Sequence, residues 1–161
     1  MHKARVIANE FLERAEDAGR SLTPMQLQKL VYFAHGWHLA IFERPLIDEP
    51  VQAWTWGPVI SDLYHEFKKF GASSIENWAL LSRFEMGNPP TGESAKLIDK
   101  IWEVYRGFTG PQMSAMTHKD GTPWSEVWQS LTEANPSPIS GNLIENKKIA
   151  EHFVSLAASN N

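Results

Sequence analysis

The sequence predicts a mainly α-helical fold: a compact, single-domain bundle of about six to seven helices with a short β element near residues 51–56. Apolar residues recur at spacings of three and four along most of the chain, which is typical of amphipathic helices. Alternation typical of a half-buried strand is confined to one short stretch. The length of 161 residues suits one domain over residues 1–161.

The first two helices have clear boundaries in the sequence. Helical apolar spacing runs over residues 4–18, and Gly19 is suited to end that helix. Residues 23–26 read Thr-Pro-Met-Gln, a capping box with proline at the first helical position, and predict the start of a long helix. Gly36 in the middle of this helix costs ~1 kcal/mol against alanine. We therefore expect a neighbouring element to approach it closely.

The middle of the chain is less regular. Residues 51–56 predict one strand, which Gly57-Pro58 is expected to break before a third helix begins near Val59. Residues 72–92 lack a clear period, although their large apolar side chains are expected to pack. Those side chains are Trp78, Leu80, Leu81 and Phe84.

The second half predicts four more helices. Apolar spacing marks one over residues 97–108, and threonine caps at Thr109 and Thr122 begin two shorter ones. Prolines at 136 and 138 predict an extended stretch. Asn146 is expected to cap the last helix, which should bury Ile149, Phe153 and Leu156.

The composition excludes several classes of protein. There is no cysteine, which excludes disulfides and thiolate metal sites and suits a reducing compartment such as the cytoplasm. No apolar run reaches the ~20 residues of a membrane span, and no signal peptide is expected at the start. The net charge of −4 argues against a nucleic-acid-binding surface. Lys147 and Lys148 are interpreted as a solvated helix face.

Histidines are the residues with the clearest catalytic or metal-binding potential. His35 and His38 are three apart on one helix and can chelate a metal, but there is no HExxH pattern around them. No activated nucleophile accompanies His118, and no glycine-rich phosphate loop is present. We expect no metal, cofactor or small-molecule substrate. A histidine-dependent metal hydrolase remains an alternative, and it requires His35, His38 and His118 to converge.

A DNA-binding regulator of its own operon is the second alternative. A recognition helix needs several exposed Arg, Lys, Asn or Gln side chains. The predicted helices near residues 111–118 and after Thr122 carry almost none. We therefore expect no specific DNA binding.

Seven tryptophans are many for this length, and two pairs have informative spacing. Trp54 and Trp56 would share one face of a strand, either packed in the core or exposed beside a rigid Gly-Pro corner. Trp124 and Trp128 are four apart on one helix face and leave the same two readings open.

Several blocks of the chain together resemble the Panacea domain family of SocA-like antitoxins and phage-associated proteins. The long helix at residues 27–40 resembles its signature helix, and Gly57-Pro58-Val59 resembles its central motif. His118 followed by Pro123-Trp124 resembles its later motif, and residues 139–140 resemble the start of its closing segment. The resemblance implies a single Panacea-like domain with its core at about residues 4–155.

The resemblance further implies a bacterial, cytoplasmic antitoxin that is not an enzyme. Its expected partner is a toxin protein, which it neutralises by direct binding. Delivery of that toxin to a protease or its unfoldase, with the antitoxin as adaptor, is a further implied mode. The partner-binding surface is predicted at a rigid corner rich in aromatic residues. Its residues are Trp56, Gly57, Pro58, Tyr64, His118 and Trp124.

Overall fold

The computed structural model describes residues 1–86, 88–134 and 142–159. The mainly helical fold class is confirmed: these residues form eight α-helices and a small sheet. The helices are α1 (Ala4–Asp17), α2 (Pro24–Phe42), α3 (Ser61–Phe67), α4 (Arg83–Met86), α5 (Gly92–Tyr105), α6 (Gly110–Thr117), α7 (Pro123–Ala134) and α8 (Asn146–Ser159). A 3-10 turn over Lys68–Phe70 follows α3. No described helix is long and apolar enough to span a membrane.

Helix α2 is the centre of the fold. It packs against α1, α5, α6 and α8, and most of its residues are buried. Its predicted capping box is confirmed, because Gln26 N donates to Thr23 Oγ1 at 3.3 Å and Thr23 N donates to Gln26 Oε1 at 2.9 Å. Thr122 likewise caps α7, accepting a hydrogen bond from Ser125 N at 3.2 Å.

Gly36 allows the closest packing in this core. A Cβ at this position would overlap the ring of Phe153 on α8. The expected close approach of a neighbouring element at Gly36 is therefore confirmed. The aromatic ring also makes an edge contact with Trp37, at 5.2 Å between ring centroids.

The β element differs from the prediction. Strand β1 (Val51–Trp54) ends before Trp56 and pairs with β2 (Gly57–Ile60), so Gly57-Pro58 begins a second strand, Val59 belongs to that strand, and the third helix begins only at Ser61. The antiparallel sheet has the order β2-β1-β3, with β3 at Leu143–Ile144. Pro58 is tolerated because β2 is an edge strand. The N–H of Ala53, opposite Pro58, donates to Asn142 O at 3.1 Å.

Two expectations about apolar packing were wrong. Trp78, Leu80 and Phe84, which were expected to pack, are 45%, 80% and 81% exposed, and Leu156 is 36% exposed. Neither Leu80 nor Phe84 belongs to the main core, whereas the neighbouring Ala79 does.

Asn146 is the first residue of α8, and its side chain bonds to His35. The predicted extended stretch at 136–138 and the motif at 139–140 lie outside the described residues.

Candidate functional site

An open groove of about 430 Å³ is lined by Trp54, Trp56 and Tyr64. Helix α2, the β1–β2 hairpin and α3 form its walls. We call it the aromatic groove and define it by Met25, Lys29, Trp54, Trp56, Tyr64 and Lys68. Among the described residues that line it, none is an aspartate or glutamate.

Two of the predicted partner-binding residues are exposed at this groove. Trp56 is 68% exposed and Tyr64 is 42% exposed. Trp54 is half-buried, and its ring lies 4.9 Å from the ring of Tyr64. The indole N–H of Trp54 donates to Gln52 Oε1 at 2.9 Å. The lining of the groove therefore includes three aromatic side chains, two on the hairpin and one on α3.

The hairpin that carries Trp56 is held by side chains from three helices. Five of its backbone carbonyls accept side-chain hydrogen bonds. These are Trp54 O from Trp124 Nε1 (2.7 Å), Thr55 O from His118 Nε2 (3.3 Å), Trp56 O from Ser114 Oγ (2.8 Å), Pro58 O from Lys29 Nζ (3.1 Å) and Ile60 O from Gln28 Nε2 (2.9 Å). Because the donors lie on α2, on α6 or directly after it, and on α7, the turn is fixed relative to the body of the domain.

Gly57 is needed at this turn for two reasons. Its φ is +111°, a conformation that residues with a Cβ rarely adopt. A Cβ there would also lie 2.8 Å from both Lys29 Nζ and Thr117 Oγ1. Gly57 and Pro58 are both buried. They determine the backbone conformation of the turn and expose little surface that a partner could contact.

Lys29 is the unusual residue of the site. It is only 1% exposed, and its ammonium donates to Pro58 O. No carboxylate of the described residues lies within ion-pair distance of Lys29. Burial lowers the pKa of Lys29 to about 7. Sequence reasoning missed this residue, although it is the one Lys, Arg, Asp or Glu in α2, and a long helix with a single such residue is typical of a helix buried on most sides.

Trp124 and His118 hold the hairpin through hydrogen bonds to the carbonyls of Trp54 and Thr55. Trp124 is 7% exposed, stacks on Trp128 at 5.4 Å and meets the edge of His118 at 3.9 Å between centroids. Trp124 therefore belongs to the core, and His118 is half-buried at its border. Of the six predicted site residues, the structure exposes Trp56 and Tyr64 and places the others around or beneath them.

The histidines of the metal-hydrolase alternative have separate, structural partners. His35 Nε2 donates to Asn146 Oδ1 at 2.9 Å, and its Nδ1 accepts from Leu46 N at 3.3 Å. Burial lowers the pKa of His35 to about 4. His38 Nδ1 donates to Arg44 O at 2.7 Å, and burial also lowers its pKa. Over residues 1–86, 88–134 and 142–159, no group of three potential metal ligands occurs, so the required convergence is not found.

These features define the chain as a mainly helical domain that presents a preorganised aromatic groove beside a clamped hairpin. Residues 27–125, which include most of the groove and all five side chains that donate to the hairpin carbonyls, match the family described as Antitoxin SocA-like, Panacea domain. The chain belongs to this family, as the resemblance predicted.

One similar protein of known role is "Antitoxin SocA" from Caulobacter vibrioides (strain NA1000 / CB15N). It is 31% identical to this chain over 130 residues, which cover 77% of this chain and 69% of that protein. No solved structure matches the chain.

Proposed function

We propose that this protein is an antitoxin that neutralises a cognate toxin protein by binding it directly at the aromatic groove. The family supports the role, and one observation supports the place: Trp56 is 68% exposed on a turn whose carbonyls are held from behind. In this proposal the protein acts in the cytoplasm as a binding protein and not as an enzyme.

The physical argument rests on preorganisation. Tryptophan and tyrosine supply large contact areas with little rotamer freedom to lose, and they dominate binding hot spots. Trp56 and Tyr64 already stand on a fixed hairpin and helix, so binding a partner orders little backbone. Gly57, Pro58, Trp124 and His118 contribute by holding that geometry, and His118 also borders the exposed turn at Thr55.

Co-expression with the toxin encoded beside it tests the proposal. Trp56→Ala and Tyr64→Ala should abolish rescue of growth while each variant keeps the wild-type melting temperature. Ile41→Ala, which changes a 54% exposed apolar residue outside the groove, is the matched control and should rescue fully. If Trp56→Ala and Tyr64→Ala both rescue like the wild type, the groove does not bind the toxin.

Delivery of the toxin to a protease is the finer form of this proposal. An adaptor needs a second surface besides the one that binds its cargo. Leu80 and Phe84, which are exposed and lie outside the groove, supply apolar surface for that purpose. Phe84→Ala should then leave toxin binding intact and lengthen the toxin's half-life after protein synthesis is blocked. If the toxin's half-life is the same with Phe84→Ala as with the wild-type antitoxin, or is the same with and without the antitoxin, the result supports sequestration instead.

A further inference from the structure

Among the residues that the structure describes, the lining of the aromatic groove includes the amine of a buried lysine and no acidic side chain. Lys29 lines the groove, although its side chain is almost fully enclosed. An ammonium has three N–H donors, and the described residues supply one hydrogen-bond acceptor to it, the carbonyl of Pro58. A buried ammonium that is not paired is costly, so an anion that reached it from the groove would gain much.

The other lysine in the lining of the groove, Lys68, is also basic. The chain as a whole has a net charge of −4. The groove therefore combines two lysine amines with apolar side chains of Met25, Trp54 and Trp56 in an acidic protein. Its chemistry fits a carboxylate that is flanked by apolar groups.

We propose that the groove binds an acidic side chain of the partner protein, flanked by apolar residues, whose carboxylate pairs with Lys29. The apolar neighbours of that carboxylate contact Trp56 and Tyr64. This inference rests on the proposed function for its biological partner, but the chemistry of the groove can be tested without the toxin. It also predicts that the partner is recognised by a short acidic-apolar segment and not by net charge alone.

Binding of the carboxylate should also cause Lys29 to take up a proton from solution. Burial lowers the pKa of Lys29 to about 7, so at pH 8 most molecules carry it neutral. A carboxylate at hydrogen-bond distance favours the charged form and raises that pKa, so binding at pH 8 takes up a proton at Lys29. The other titratable groups at the groove and hairpin are Tyr64 on α3, Lys68 on the turn after it and His118 after α6.

The probe is a random decapeptide pool captured on the immobilised full-length protein. One pool is amide-blocked and a second has free C-terminal carboxylates. We expect the blocked pool to be enriched in Asp or Glu next to aromatic or aliphatic residues, and Trp56→Ala to lose that capture. A blocked pool with no acidic enrichment overturns the proposal. Enrichment confined to the free-carboxylate pool also overturns it, because the groove would then read a chain terminus.

Calorimetry on the most enriched peptide then assigns the carboxylate to Lys29. Replacing its acidic residue by the amide should weaken binding at least about tenfold for the wild type, as expected for a charged hydrogen bond. Lys29→Met should bind both peptides equally, while Lys100→Met, on exposed α5 surface, should behave as the wild type. An undiminished preference for the acid in folded Lys29→Met overturns the proposal.

Two further readouts keep the test independent of the folding of Lys29→Met. The amide substitution is made in the peptide, and proton uptake is measured on proteins that retain Lys29. Uptake at pH 8 should persist in Tyr64→Phe, Lys68→Met and His118→Gln, and its absence in the wild type contradicts the pairing. If the toxin binds but acidic peptides show no preference, this inference fails and the proposed function stands. If acidic peptides bind and the toxin does not, the proposed function fails instead.

Discussion

Gly36 of α2 lies directly against the ring of Phe153 of α8, so close that a Cβ on Gly36 would overlap the ring. Gly36→Ala improves helix propensity by ~1 kcal/mol, but it forces apart two helices that form the centre of the core. We expect a net loss of ~1–3 kcal/mol in the free energy of unfolding, measured by urea denaturation.

Gly107→Ala is the control, because a Cβ there meets no atom within 4 Å and should change stability by less than ~0.5 kcal/mol. In a Phe153→Leu background, Gly36→Ala should be less harmful than in the wild type. An equal penalty in both backgrounds would show that the ring of Phe153 is not the obstacle.

Gly57 offers a second test of a glycine in a special position. Gly57→Ala must adopt a φ of +111° and collide with Lys29 and Thr117, so it should lower the free energy of unfolding by roughly 2–4 kcal/mol. Gly71→Ala is matched, since Gly71 also has a positive φ of +54° but has open space around it. Its cost should be nearer ~1 kcal/mol. Equal melting temperatures for the two variants would contradict the described turn.

Alanine substitutions of Trp56 and Trp124 should have different effects on stability, because one residue is exposed and the other is in the core. Trp124→Ala removes a 7% exposed indole and its hydrogen bond to Trp54 O, which should cost ~3–5 kcal/mol. Trp56→Ala removes a 68% exposed indole and should stay within ~0.5 kcal/mol of the wild type. Chemical denaturation of both variants measures the difference. Comparable losses would mean that Trp56 is also a packing residue.

His35 should make stability depend on pH. Its pKa is about 4 in the folded state, because burial and an Nδ1 that accepts from Leu46 N both favour the neutral ring. In the unfolded chain the pKa is ~6.5, so the unfolded state takes up the proton first as pH falls. The stabilisation is complete above pH ~6.5 and is lost progressively towards pH 4, by about 3 kcal/mol in all.

The measurement compares unfolding free energies at pH 7 and pH 4.5 for the wild type and His35→Gln. Groups that both proteins share, such as His38 and the carboxylates, contribute equally to the two losses. The wild type should therefore lose more stability than the variant over this interval, and the excess reports the protonation of His35. Identical losses would show that His35 is not held neutral by the fold.

Local features of the fold were predictable from the sequence because they depend on neighbouring residues. The capping boxes at Thr23 and Thr109 require only contacts three residues apart, and both form. Gly36 was also informative, since a glycine within a long helix calls for a close neighbour. The identity of that neighbour, Phe153, depends on how α2 and α8, which are far apart in the sequence, pack together, and no local pattern reveals this.

The hairpin was missed for the same reason. Its turn at residues 55–56 depends on the positive φ of Gly57 and on donors from Ser114, His118 and Trp124, roughly 60–70 residues further along the chain. Sequence reasoning read Gly57-Pro58 as a break, which is its usual local meaning. The same distant contacts decided that Trp124 is buried and Trp56 is exposed, although both are tryptophans beside a proline-containing corner.

Site-specific photo-crosslinking tests the central proposal most directly. The photoreactive analogue p-benzoylphenylalanine replaces Trp56 in one variant and Phe84 in another, since both positions are exposed aromatics on different surfaces. Each variant is irradiated in cells that express the neighbouring toxin, and crosslinked proteins are identified by mass spectrometry. Binding at the aromatic groove predicts an antitoxin–toxin crosslink from position 56 and none to the toxin from position 84. A toxin crosslink from position 84 and none from position 56 would contradict it.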